Sequence, residues 1–176
     1  MMSIQVYLVG LFIVLAFATV TWFFSLLKKD ASIVDPVWSL FFLGLVSYFN
    51  WNLGDEVTHP RQIVLSILVT LWALRLSIYL FWRNWRRGED YRYQAMRKNA
   101  GENVFWWKSF FRVFLLQGFL AWIISSTLFA TYYGDEPWNI VDYLAGLVWL
   151  IGFIFEVGGD WQLMMFKSRQ KIVENY

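Results

Sequence analysis

The 176-residue chain has no cysteine. A disulfide framework, a thiolate zinc site and a thiol nucleophile are all excluded. Histidine occurs once, at His59 beside Pro60. A histidine cluster for a metal and a histidine-based triad therefore have no residues to use, and no metal is expected. Charge is scarce: Asp, Glu, Lys and Arg make up 16% of the chain, against about 25% in an average soluble domain. No glycine-rich phosphate loop of the Rossmann or Walker type is present. The basic residues flank apolar runs instead of forming a soluble face, so no nucleic-acid partner is expected.

Apolar residues dominate. They account for 59% of the chain, with 17 Phe, 12 Trp and 9 Tyr. A helix crosses a bilayer with about 20 mostly apolar residues. Five runs reach that length: residues 4–27, 33–53, 62–84, 110–133 and 138–160. They are too long, and alternate too little, for barrel strands of about 10 residues. The expected fold is all-α, a polytopic transmembrane helical bundle forming one membrane domain over residues 1–176. The expected setting is a bacterial inner membrane or the endoplasmic reticulum, with membrane lipids as partners. No Lys or Arg precedes the first run, and Lys28-Lys29-Asp30 follows it where a signal peptide would be cleaved. That run reads as a retained anchor.

Orientation follows from charge. All but Arg61 and Arg75 of the 15 basic residues lie after span one, after span three or in the tail. The alternate gaps carry Asp55, Glu56, Asp135 and Glu136. By the positive-inside rule the N-terminus is outside and the C-terminus cytoplasmic. Residues 85–109 then form a cytoplasmic interfacial segment. Gly88-Glu89-Asp90 offers a turn and acids for a helix start. The short helix that follows is expected to turn Tyr93, Met96 and Ala100 to one face and to stop near Gly101. Trp85, Trp106 and Trp107 belong at headgroup level, and the arginines near anionic lipid.

Orientation gives depth. Asp35 lies just inside the cytoplasmic face. Arg75 comes eight residues before Arg83, roughly 12 Å from the inner end at about 1.5 Å per residue. Gln117 lies at similar depth, and Glu156 and Asp160 are one turn apart near the inner end of span five. Asp142 belongs to the outer end, as a helix-start acid. A charged group at the bilayer centre costs about 2.5–3.5 kcal/mol on insertion scales, and such groups pair or line a wet cavity. Two readings follow: ion pairing that holds the bundle together, and a polar pocket open to cytoplasm and lipid. The first makes the chain a non-catalytic scaffold or lipid-binding protein.

Several motifs resemble those of a family of membrane proteins related to steroid 5-alpha-reductases. They are Asp35-Pro36-Val37-Trp38, Trp72-Ala73-Leu74-Arg75-Leu76, Gly88-Glu89-Asp90-Tyr91-Arg92-Tyr93, Gln117-Gly118, and Glu156-Val157-Gly158-Gly159-Asp160-Trp161-Gln162 with Phe166-Lys167. They run in family order from about residue 30 to the end. The resemblance implies a lipid-accessible cavity. It also implies NADPH-dependent reduction of a C=C bond conjugated to a carbonyl, in a hydrophobic substrate such as a sterol, steroid, isoprenoid or enoyl lipid. An early-span acid and a Tyr help polarise that carbonyl. Asp35 matches the acid. Glu156 and Asp160 match the nucleotide-contacting span, Arg75 would serve phosphate or pocket electrostatics, and Lys167 and Arg169 would screen phosphate. Trp38 and Gln117 are expected at the substrate pocket. A carboxylic acid kept neutral by an apolar site donates a hydrogen bond to a developing oxyanion, the role expected of protonated Asp35. An isoprenylcysteine-type methyltransferase is a further possibility within the same superfamily. The resemblance covers the N-terminal part of such proteins, so a C-terminal cofactor-binding part is expected to lie beyond Tyr176.

Overall fold

The computed structural model describes residues 2–54, 59–85, 88–134 and 136–174, with side chains from residue 4 to residue 167. Asp55, Glu56, Arg86, Arg87 and Asp135 lie outside the described residues, as does the side chain of Arg169. Every regular element among the described residues is helical: α1 (Met2–Lys28), a 3-10 turn (Ala31–Ile33), α2 (Val34–Leu53), α3 (Pro60–Asn84), α4 (Tyr91–Ala100), α5 (Glu102–Ser109), a π-helical stretch (Phe110–Leu115), α6 (Leu116–Ile124), α7 (Ser126–Tyr132) and α8 (Ile140–Glu174). Five helical segments are long and apolar enough to cross a membrane: Ile4–Lys28, Ala31–Leu53, Pro60–Asn84, Glu102–Tyr132 and Ile140–Lys167. The protein is an integral membrane helical bundle.

The helix carrying the fourth span starts at Glu102, earlier than the apolar run at Phe110. Gly101 (φ 81°) ends α4 in a conformation that suits glycine. The backbone then re-enters helix at once and runs through the π-helical stretch. The polar first turns are helical because backbone hydrogen bonding continues past the apolar boundary, which hydropathy does not register.

The chain divides into two compact units, Met1–Asp135 and Glu136–Tyr176. In the first, α2 is central and packs on α1, α3, α6 and α7. Of the most apolar window in each span, 56% is buried for α2 against 28% for α1 and 17% for α3. The buried side chains include Phe41, Leu45 and Phe49 of α2 with Val14 and Ala18 of α1. Helices in lipid gain little from hydrophobic burial against each other, so close packing carries the association. Gly118 shows this: a Cβ there would stand 3.3 Å from both Ala18 Cβ and Val14 Cγ1, a tight approach of α6 to α1. Ser39 Oγ donates to the Ala73 carbonyl at 2.9 Å, fixing the register of α2 on α3.

The second unit is built around α8. Asn139 Oδ1 accepts from Val141 N, and Asp142 Oδ2 accepts from Asn139 N, each at 2.8 Å. This reciprocal cap is the helix-start role expected of Asp142.

Candidate functional site

The site is built where α1 turns into α2. Lys29 takes a left-handed conformation (φ 53°), which costs a non-glycine residue roughly 1–2 kcal/mol. A dense polar network holds that turn. Asp30 accepts from Ser32 N at 2.8 Å and caps the 3-10 turn. Ser32 Oγ accepts from Asp90 N at 2.6 Å, and Glu89 Oε1 accepts from Ala31 N at 2.9 Å. Glu89 also grips Arg97 with both oxygens, at 2.8 and 3.0 Å. Two-pronged charge-assisted bonds of this kind are geometrically specific. Arg97 lies 4.4 Å from the centre of the Phe105 ring and donates to the Lys29 carbonyl at 3.3 Å. The Gly88-Glu89-Asp90 motif thus staples the interfacial segment to the start of span two.

Asp90 caps α4 by accepting from Arg92 N at 3.0 Å. That start sets the helix phase. Tyr93, Arg97 and Ala100, at spacings of four and three, face inward, and Met96 is exposed. Met96 lies on the same side of α4 as Tyr93 and Ala100 by its helical spacing, at the exposed margin of that face, while the stapled Arg97 is partly covered.

α4 brings two donors to Asp35. Tyr93 O–H donates to Asp35 Oδ1 and Arg92 Nη2 to Asp35 Oδ2, both at 2.8 Å. The Asp35 side chain is 15% exposed and that of Arg92 is 53% exposed, so the ion pair opens to solvent on one side. Gln117 of α6 is a neighbour of the Tyr93 hydroxyl. Burial, and then the charge of Asp35, push the Tyr93 phenol above the ordinary tyrosine value. Arg92 is raised, chiefly by its hydrogen bond to Asp90, and that same bond holds the Asp90 carboxyl below its ordinary value. At neutral pH the cluster holds a protonated phenol and a charged guanidinium. Both Asp35 oxygens act as acceptors, and the O–H to donate belongs to Tyr93.

Of the residues singled out from sequence, Asp35 bonds Tyr93, and Gln117 lies near the same hydroxyl. Trp38 lies three residues from Asp35 and forms a half-buried aromatic wall, edge-on to Phe42 at 5.0 Å and to Trp72 at 6.3 Å. The Ser39–Ala73 bond sets Ser77 opposite Asp35, with Arg75 two residues further from that end of α3. Arg75 lies two residues, about 200° of helix turn, off the Ala73/Ser77 face that α3 turns to α2. Its guanidinium lies 5.8 Å from the centre of the Tyr79 ring. In the second unit Glu156 and Asp160 occupy successive turns of α8, both half-buried, and Lys167 is exposed further along. Arg92, Tyr93, Glu89 and Arg97 were not singled out as site residues. They all fall in or beside the Gly88–Tyr93 motif, which was the available signal.

The pyrophosphate of NADPH calls for cations that are not already paired. Arg92 and Arg97, on the helix that covers Asp35, are committed to carboxylates. They do not suit a pyrophosphate. Glu156 and Asp160 have the chemistry for ribose hydroxyls, and Lys167 for a phosphate.

An integral membrane helical bundle with a carboxylate–tyrosine pair under a short helix is the class these observations define. Within it, the chain belongs to the family described as "Protein of unknown function (DUF1295)", whose sequence profile matches residues 21–173. An uncharacterised protein of Schizosaccharomyces pombe is 26% identical over 162 residues, which is 89% of this chain and 47% of that protein. The chain thus spans about half the length of the curated relative it matches. No solved structure matches the chain.

Proposed function

We propose that this chain carries the carbonyl-polarising part of an NADPH-dependent reductase that saturates a C=C bond conjugated to a carbonyl in a lipid substrate. The observation that carries the reading is the Tyr93–Asp35 hydrogen bond of 2.8 Å. The pairing of an early-span acid with a Tyr, and the motif resemblance to the steroid 5-alpha-reductase superfamily, support it. When bound, NADPH would supply hydride to the alkene carbon β to the carbonyl, and a proton from water would complete the α carbon.

In this reading Tyr93 is the donor, because its phenol stays protonated well above neutral pH. Its O–H turns from Asp35 Oδ1 to the substrate oxygen and stabilises the charge that develops there. Asp35 is a positioning residue that aims the phenol. Arg92 keeps the Asp35 charge paired once the phenol has turned away, so no lone carboxylate is left at the membrane boundary. This moves the donating role from Asp35, where the sequence suggested it, to Tyr93. Trp38 forms an apolar wall beside the reacting end of the substrate. Glu156, Asp160, Lys167 and Arg169 are assigned to ribose and phosphate groups of the nucleotide, and Arg75 to pocket electrostatics.

The test is NADPH-dependent reduction of enone lipids by membranes containing the protein. Removing one preorganised donor to a developing oxyanion costs about 10²–10³ in kcat. Tyr93→Phe is expected to show that loss while NADPH still protects the protein in a thermal-shift assay. Protection by S-adenosylmethionine with none by NADPH would instead assign the site to methyl transfer.

A further inference from the structure

A second polar site lies on the other side of the Glu89–Arg97 staple from Asp35. It is a cavity of about 300 Å³ between the end of α1 and the bend where α4 meets α5, lined among others by Ser25, Lys29, Arg97, Glu102, Asn103 and Trp106. That volume stands at the bottom of the roughly 300–1,000 Å³ range of small-molecule sites. It suits a compact polar group and is too small for a dinucleotide or a sterol.

The charges at its edge are of both signs. Lys29 and Arg97 supply cations, Glu102 an anion and Asn103 an amide. Arg97 is already bonded to Glu89. Among the described residues, the Lys29 ammonium and the Glu102 carboxylate, both on exposed residues, enter no ion pair. A simple anion would meet Glu102 and a simple cation would meet Lys29, whereas a zwitterion satisfies both. The surroundings fix the setting. Trp22 Nε1 donates to the Trp106 carbonyl at 2.9 Å, and Trp22 stacks on Trp106 and packs at a tilt against Phe110. The cavity therefore lies beside an aromatic cluster at the basic end of the bundle, where Trp marks the headgroup layer. Exposed Phe23, Phe24 and Leu27 on the last turns of α1 offer apolar surface for acyl chains.

We infer that this cavity binds the headgroup of a zwitterionic phospholipid with a primary ammonium. Lys29 and Asn103 take the phosphate and Glu102 takes the ammonium. A lipid bound here would brace the α1–α2 turn and the start of α5 against each other, independently of any chemistry at Tyr93.

The test is native mass spectrometry of the detergent-purified protein with phosphatidylethanolamine, phosphatidylcholine and phosphatidylglycerol at equal concentration. Phosphatidylethanolamine adducts are expected to exceed the other two severalfold, because only its headgroup offers both a phosphate and an ammonium N–H donor. Glu102→Gln is expected to abolish the preference over phosphatidylglycerol, and Lys29→Met to lower retention of all three. Lys98→Met, on the exposed face of α4, is expected to change nothing. Thermal melts of each variant separate loss of binding from loss of fold. Displacement of the lipid by soluble phosphoethanolamine would identify a free amino phosphate as the occupant and overturn the lipid assignment. Equal retention of the three lipids by the unmodified protein, or unaltered preference in Glu102→Gln, would overturn the site.

Discussion

The first unit holds two polar clusters at opposite ends, built on opposite principles. At the Asp35 end the groups are charged, partly open to solvent, and satisfied by carboxylate–guanidinium pairs and capped helix starts. At the other end Asn50, Gln62, Ser66 and Tyr132 are neutral. Gln62 Nε2 donates to the Tyr132 carbonyl at 2.8 Å, Asn50 Nδ2 to Ser66 Oγ at 3.2 Å, and the Ser66 and Tyr132 hydroxyls share a hydrogen bond. Two buried acceptors there, Asn50 Oδ1 and Gln62 Oε1, have no hydrogen-bond partner. The contrast separates structure from chemistry. Neutral hydrogen bonds between helices average about 0.6 kcal/mol in a membrane protein and are enough to set register. Charges can persist only where pairing and water are both near, and there they leave a phenol with a proton to donate.

The largest effect that tests this contrast is on turnover. Tyr93→Phe is expected to lower NADPH-dependent enone reduction by about 10²–10³, and Tyr132→Phe to leave it unchanged. Equal behaviour of the two variants would make both clusters structural and favour a scaffold. Next in size is Glu89→Ala, which removes the partner of Arg97 and of Ala31 N together. Loss of a charged hydrogen-bond partner costs about 1.5–3 kcal/mol, reduced here because Arg97 is partly exposed, so roughly 1–2 kcal/mol is expected. The readout is a lower Tm with faster proteolysis between residues 85 and 101.

The pH dependence of the charged end follows from its shifted groups. The Tyr93 phenol is raised, so its contribution is complete below the ordinary value of about 10 and is lost as pH rises through the raised one. Thermal stability should fall above about pH 10, and Tyr93→Phe should flatten that fall. Asp90 is lowered by Arg92, so its contribution is present above the ordinary carboxylate range and disappears as pH drops through its lowered value. Asp90→Ala removes a helix cap worth about 1 kcal/mol and should abolish the acid-side loss measured by Tm. The smallest effect is at the neutral end. Gln62→Met removes both a donor and an unpaired buried acceptor, and is expected to shift stability by less than about 1 kcal/mol.

Much of this was legible in the residues. Run length located five spans, and Gly101 ended α4 where expected. Asp142 and Asp90 were readable as helix-start acids. Hydropathy missed the polar first turns of the fourth helix, because helical hydrogen bonding is blind to polarity. Periodicity placed Tyr93, Met96 and Ala100 on one face of the 10-residue helix, and only the Glu89–Arg97 pair showed which part of that face is covered. Depth put Arg75 and Asp35 in the same half of the bilayer and said nothing of azimuth, which only the tertiary structure supplied.

The sequence by itself determined a membrane bundle and the end of it that holds the charges, since oil tolerates few ionised groups and basic loops mark a side. Only the tertiary structure decided which charges meet. Asp35 receives Tyr93 and Arg92 across 57 or more residues of chain, and that encounter depends on a stapled loop and a helix phase that no local pattern encodes.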